Sequence, residues 1–183
     1  NEFAKWSTRG KHGRKDRNIV SSIYLNVTDG ETANYRLMNK WQQVKANEVR
    51  YKEYYLDDAE IAIVGFGSAG RIALTAVRKA RAEGIKVGLL RPITLNPFPE
   101  EALDQLTGHV KSVLVTEMNG GQMLRDVERI VRGRVPVEFY GRTGGVVPFP
   151  DEILGEIHRM AAGNLPMGGD PHFRWLERMA RKN

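Results

Sequence analysis

The sequence predicts an α/β fold, a three-layer, mostly parallel open sheet preceded by a long connector helix. Three observations predict it. Between Ala59 and Met160 short apolar runs alternate with segments of helical period, the order that builds right-handed βαβ crossovers. Glycine and proline fall at the joints between those segments. The chain also has 183 residues, 41% of them hydrophobic, enough to bury one sizeable core with some chain left over.

Residues 1 to 29 are polar and irregular, with apolar runs at Ile19-Val20 and Ile23-Tyr24-Leu25 that suit an edge strand. Thr28 or Asp29 is placed to cap the helix that follows. From Glu31 to about Tyr55 the residues Leu37, Trp41, Val44, Tyr51 and Tyr55 recur at spacings of three, four and seven, which predicts one long amphipathic helix closed by Asp57-Asp58. Its narrow aromatic stripe suits a connector lying across another surface. Residues 1–57 are accordingly read as basic linker and connector helix, 58–162 as the α/β domain and 163–183 as a C-terminal extension.

The first strand of the α/β domain is Ile61-Ala62-Ile63-Val64, followed by Gly65-x-Gly67-x-x-Gly70 and a helix. That helix places Ala69, Ile72, Ala73, Ala76, Val77 and Ala80 inward and stops at Gly84. A second strand, Lys86 to Leu90, ends in Arg91-Pro92. Pro97-Phe98-Pro99-Glu100-Glu101 then starts a short helix, because proline lacks the unneeded N–H and acids meet the positive dipole end. Ala102, Leu103 and Leu106 face inward from it, and Gly108 ends it. A third strand, Ser112 to Thr116, leads through Glu117-Met118-Asn119-Gly120-Gly121 to a helix burying Met123, Leu124, Val127, Ile130 and Val131. The fourth strand, Val135 to Tyr140, carries Pro136, which suits an early or edge position. Gly141-Arg142-Thr143-Gly144-Gly145 leads to a helix burying Ile153, Leu154 and Ile157, ended by Gly163. The tail is a proline/glycine loop and a short basic helix with Phe173, Leu176 and Met179 on one side.

Composition removes several chemistries. With no cysteine the chain forms no disulfide, offers no thiolate to an iron–sulfur cluster and has no cysteine nucleophile, which fits a cytoplasmic protein. No apolar run approaches the ~20 residues a membrane span requires. No charged–apolar–small leader is visible, and the start at Asn1 rather than Met suggests a processed chain or a piece of a larger one. Net charge is +6, and residues 1 to 18 hold six basic side chains against two acids. A basic arm binds phosphates by counterion release. A solvated linker or a docking surface is the preferred reading over nucleic acid, since no base-reading module accompanies the charge.

In an open parallel sheet, ligands sit beyond the carboxyl ends of the strands. Those ends collect Gly65, Gly67, Ser68, Arg91, Glu117, Asn119, Gln122 and Arg142, the candidate cleft or subunit-interface residues. The Gly65–Gly70 turn has the strand–turn–helix setting of a dinucleotide site. The fingerprint also needs an acid about 20 residues on for the ribose, and Arg91-Pro92 stands there instead. Arg91 leaves a 2′-phosphate, hence NADP, as a rival reading. Ser68 is not in a GxSxG elbow and is read as a helix cap. The four histidines are scattered without metal-ligand spacing. No catalytic acid–base or nucleophile constellation is assigned.

The stretch from about Asn47 to Met160 resembles the C-terminal half of the α subunit of 2-oxoacid:ferredoxin oxidoreductases, of the 2-oxoglutarate and 2-ketoisovalerate types. NEVRYKEYYLDDAEIAIVGFGSAGRIALTAV, GIKVGLLRPITLNPFPEEAL, VLVTEMNGGQMLRDVERIV and GRTGGVVPFPDEIL carry the resemblance, with RPITL and EMN the most specific. It implies a transketolase C-terminal-like domain of a thiamine-diphosphate enzyme that converts a 2-oxoacid, CoA and oxidised ferredoxin to acyl-CoA, CO2 and reduced ferredoxin. It implies no cofactor on this chain, with thiamine diphosphate, Mg2+ and the iron–sulfur cluster carried elsewhere. The implied partners are the pyrimidine-binding domain of the same subunit, the β subunit and, through the complex, ferredoxin, with no membrane contact. Gly65 and Gly70 depart from the family's AYGS-type turn, which makes Gly70 look incidental. The tail from Gly163 is expected to be an extension that packs on a partner subunit.

Overall fold

Five strands and six helices follow from this sequence in a computed structural model, which describes Gly13, residues 22–163 and residues 165–181. The basic arm, with Ile19 and Val20, lies almost wholly outside the described residues. By packing, the chain divides into Asn1–Gln43 and Val44–Asn183.

Helix α1 spans Val27–Asn47 and has no buried residue. Its start is set by Asn26, not by Thr28 or Asp29: the Asn26 Oδ1 accepts the amides of Thr28 (2.9 Å) and Asp29 (3.4 Å). Ile23-Tyr24-Leu25 is not in a strand. The predicted helix to Tyr55 ends early, and Tyr51–Tyr54 form strand β1 instead. The cause is a latch just before it. The Arg50 carbonyl accepts the amides of Ile93 (2.8 Å) and Thr94 (3.0 Å), and the Arg50 amide donates to Thr94 Oγ1 (2.9 Å). Paired backbone and β-favouring tyrosines override a four-residue spacing that also fits a helix.

The second unit holds β2 (Ile61–Gly65), α2 (Gly67–Ala82), β3 (Val87–Pro92), α3 (Glu100–Leu106), β4 (Ser112–Glu117), α4 (Gln122–Val131), β5 (Val137–Gly141), α5 (Pro150–Ala161) and α6 (Pro171–Ala180). Strand order is β1-β3-β2-β4-β5, with β1 antiparallel to β3 and the others parallel. Strands β2 and β4 are buried along their whole length, as expected of strands covered on both faces. Helices α2 and α5 pack together on one face, and α3 with α4 on the other. Pro136 precedes β5, the far edge, where its missing N–H costs no ladder bond, while its carbonyl still accepts from Val113 (2.9 Å).

The tail packs on its own chain. Helix α6 lies against β5 with Pro171 and Trp175 buried, whereas Phe173 and Leu176, read as sharing one side with Met179, are exposed. Trp175 meets the Phe139 ring edge-on at 5.2 Å. Arg174 donates to the carbonyl of Val137 (2.6 Å) and Arg178 to that of Phe139 (2.9 Å), so guanidiniums cover acceptors of the edge strand. Both also bind Glu138, fully buried in β5, at 2.8 and 3.0 Å, and Arg159 of α5 joins them at 2.7 Å. Among the described residues no helix is long and apolar enough to cross a membrane.

Candidate functional site

Every sequence-predicted site residue lies at the carboxyl end of the sheet or in the first turn of the helix that follows. Gly65 closes β2, Gly67 and Ser68 open α2, Arg91 is the next-to-last residue of β3, and Glu117 closes β4. Asn119 lies in the β4–α4 turn, Gln122 opens α4, and Arg142 follows β5.

The β2–α2 turn is a backbone-to-backbone contact. A Cβ on Gly70 would lie 2.3 Å from the Gly65 carbonyl oxygen, and one on Gly65 would lie 2.8 Å from Thr116 Cγ2. Gly70 is therefore not incidental: it lets the helix close on the strand, the packing role of a third glycine. Gly67 has φ +55° with open space where a side chain would project. Ser68 is exposed and inside the helix; the N-cap is Phe66, which supplies no acceptor side chain. The Arg91 stem runs over Gly70, its Cγ 3.2 Å from where a Gly70 Cβ would be.

One strand over, the β4–α4 turn is held by side chains. The buried Glu117 carboxylate accepts the amides of Met123 (3.0 Å) and Leu124 (2.9 Å), satisfying two N–H groups of the first turn of α4. Asn119 Oδ1 accepts from Gly121 (2.8 Å) and Gln122 (3.1 Å), while the Gln122 side chain is exposed. Burial pushes the Glu117 carboxyl above its ordinary value, against the two amide bonds that favour the charged form.

Arg142 is bound to Glu152 of α5, whose second oxygen accepts the Phe149 amide (2.8 Å). Although burial opposes it, the Arg142 hydrogen bond holds Glu152 below the usual carboxylate range. Tyr140, buried beside this pair, is pushed up to about 12, first by burial and then by the Glu152 charge. Thr116, Tyr140 and Glu152 escaped the sequence reading. Glu152 carried a signal, three residues after the start-of-helix position beside Pro150.

The Glu117 carboxylate of the predicted cleft is thus satisfied by the chain itself, and Arg142 is paired to Glu152 through one terminal nitrogen only. Clefts of about 540 and 530 Å³ lie elsewhere. The first, at the amino ends of the strands, is lined by Ile61, Lys86, Lys111, Ser112 and Leu165 among others, with Lys111 paired to Glu60 at 2.6 Å. The second lies between Tyr51 and Phe98. Among the described residues no group of three or more His, Asp or Glu could hold a metal ion. The sequence has no cysteine to offer an iron–sulfur cluster, and among the described residues no clustered acid set fits the Mg2+ that the resemblance implies.

Residues 59–153 match the family model described as pyruvate:ferredoxin oxidoreductase core domain II. The ketoisovalerate oxidoreductase subunit VorB of Methanothermobacter thermautotrophicus is 43% identical over 145 residues, 79% of this chain and 41% of that subunit. The 2-oxoglutarate synthase subunit KorA of Methanothermobacter marburgensis is 36% identical over 125 residues, 68% of this chain and 33% of the relative. The chain therefore spans well under half the length of these relatives. Among solved structures, the fold is similar to a 2-oxoglutarate:ferredoxin oxidoreductase from Magnetococcus marinus with 2-oxoglutarate, coenzyme A and succinyl-CoA bound, at TM-score 0.66 and 20% identity. That match covers 85% of this chain and 28% of the other. A split-gene transketolase in an inactive β4 tetramer matches at TM-score 0.52 and 18% identity, over 62% of this chain and 41% of that one. These likenesses bear out the α/β, transketolase-like fold and give no support to a free-standing NAD(P)-binding module.

Proposed function

Because the chain belongs to the pyruvate:ferredoxin oxidoreductase core domain II family, we propose that it is the structural, assembly-directing domain of a 2-oxoacid:ferredoxin oxidoreductase α subunit. In this reading a cytoplasmic, thiamine-diphosphate-dependent complex converts a 2-oxoacid, CoA and two oxidised ferredoxins to acyl-CoA, CO2 and two reduced ferredoxins. Thiamine diphosphate, Mg2+ and the iron–sulfur cluster are held by other polypeptide, in the pyrimidine-binding domain, the β subunit and their neighbours. This chain contributes packing and no reacting group.

The observation that carries the reading is the use made of the family's own segments. At RPITL and EMN three side chains that look chemical are engaged in building turns: Glu117 caps α4, Asn119 closes the loop before it, and Thr94 latches Arg50 ahead of β1. A group committed to two backbone amides is not poised to move a proton.

The test is turnover by the purified chain. Supplied with 2-oxoglutarate or 2-oxoisovalerate, CoA, thiamine diphosphate, Mg2+ and oxidised ferredoxin, the chain alone yields no reduced ferredoxin and no acyl-CoA. Turnover by the chain alone overturns the reading.

A further inference from the structure

The two ends of the sheet show solvent different surfaces. The amino ends present charge, much of it already paired within the chain: Arg81 with Asp58 at 2.6 Å and Lys111 with Glu60 at 2.6 Å. Tyr55 is the large exposed ring there, and it lies beside the Arg81 guanidinium at 5.5 Å. The carboxyl ends present Ile93, Leu95, Met118, Val146, Val147 and Phe149, all exposed and drawn from three separate strand-to-helix loops. Phe149 is 68% exposed although it is the N-cap of α5. Isolated exposed apolar residues are ordinary, but a set gathered at one end marks an interaction surface.

Polar atoms under this rim point the same way. Of the five buried side-chain atoms without a hydrogen-bond partner among the described residues, three lie here, Arg91 Nε, Arg142 Nε and Thr116 Oγ1, and the other two, Trp175 Nε1 and Arg178 Nε, are on α6. Buried donors without acceptors are rare in finished proteins because each costs its lost hydration. Two of the three are guanidinium N–H groups, so the missing complement is an acceptor oxygen.

We propose that the carboxyl end of the sheet is a docking face, and that its occupant is the polypeptide that longer relatives carry outside the aligned segment. This rests on the proposed function and names the face through which that assembly is made. In VorB the aligned 145 residues are 41% of the subunit, so the larger part of that subunit lies outside the segment and supplies a covalently attached occupant. Two other surfaces are less suited: α6 covers the β5 edge, and the amino ends are laced with internal ion pairs. The occupant presents apolar side chains to the rim, with carboxylate or main-chain carbonyl oxygens for Arg91 and Arg142.

The test replaces the aligned segment of the Methanothermobacter thermautotrophicus VorB with the full chain and recovers the complex through a tag on another subunit. Phe149→Asp combined with Val147→Asp lowers the recovered complex by about tenfold or more, the effect of losing a central aromatic anchor. Arg91→Ala lowers it less, and Phe173→Asp, equally exposed at 65% but on α6, leaves it unchanged. Isolated chains carrying the rim substitutions keep the parent's circular dichroism and melting temperature, which separates lost docking from lost folding. Recovery of the rim double variant at the parent's level overturns the docking face. So does an isolated chain that sediments as a dimer broken by the rim substitutions, since the occupant is then a second copy. A parent chimera that never assembles overturns the assembly function, and the docking face with it.

Discussion

The β2–α2 and β4–α4 turns stand side by side, each taking the chain from a buried parallel strand into a helix, and they are built from opposite materials. The first has no side chain at its tightest point: Gly65 and Gly70 touch backbone to backbone, and the helix cap lacks a side-chain acceptor. The second is held by a buried carboxylate that closes two amides and by an asparagine that closes two more. Seen as sequence, the first looks like a nucleotide loop and the second like a catalytic acid. In the fold both are packing devices. The difference teaches that a glycine motif reports how closely two backbones approach, and only its surroundings tell whether a ligand or the protein itself fills the space.

Substitutions sharpen the contrast. Gly70→Val produces the largest loss, because its Cβ overlaps a backbone carbonyl that no rotamer change can move. Urea denaturation is expected to show about 3 kcal/mol or more of destabilisation. Glu117→Ala follows, leaving the Met123 and Leu124 amides buried without an acceptor, at about 1–3 kcal/mol for each. Gly67→Ala is the mildest. Its side chain meets open space and only the left-handed backbone opposes it, a cost of about 1 kcal/mol. If Gly67→Ala proves as costly as Gly70→Val, the packing account of this turn is wrong.

Titration separates the two turns further, since only one contains an ionisable group. The Glu117 carboxyl is raised in the fold above its ordinary 4.5, so the folded state holds this proton more tightly than the unfolded chain. Its contribution to stability is therefore most favourable below that ordinary value. It is lost as pH rises from there through the raised folded value. Glu117→Gln removes this dependence. The stability difference between parent and variant, measured by urea melts across that window, should shift against the parent as pH rises. A difference that is flat with pH contradicts the burial of the charge.

Much of the fold was legible because its strands are covered on both faces and so read as plain apolar runs. All five inward residues assigned to the fourth helix, Met123 to Val131, are buried. Strand β1 was hidden, since Tyr51 and Tyr55 are spaced as on a helix and only the distant Thr94 reveals the pairing. In the tail, Phe173 and Leu176 share a helical stripe with Met179, but the sheet edge selects Trp175 because β5 offers Phe139 to its ring. At the carboxyl end the residue types were foreseen and their partners were not. Glu117 binds amides six and seven residues later, and Arg142 binds a carboxylate ten residues on. Neither pairing leaves a periodic trace in sequence. Gly70 was undervalued for a similar reason, because its neighbour is a carbonyl and carbonyls belong to every residue.

The most direct check of a turn filled by its own backbone is calorimetric titration of the full chain with NADP and with NAD. No saturable heat is expected from either nucleotide. Micromolar binding that Gly67→Val or Arg91→Ala abolishes would contradict the account.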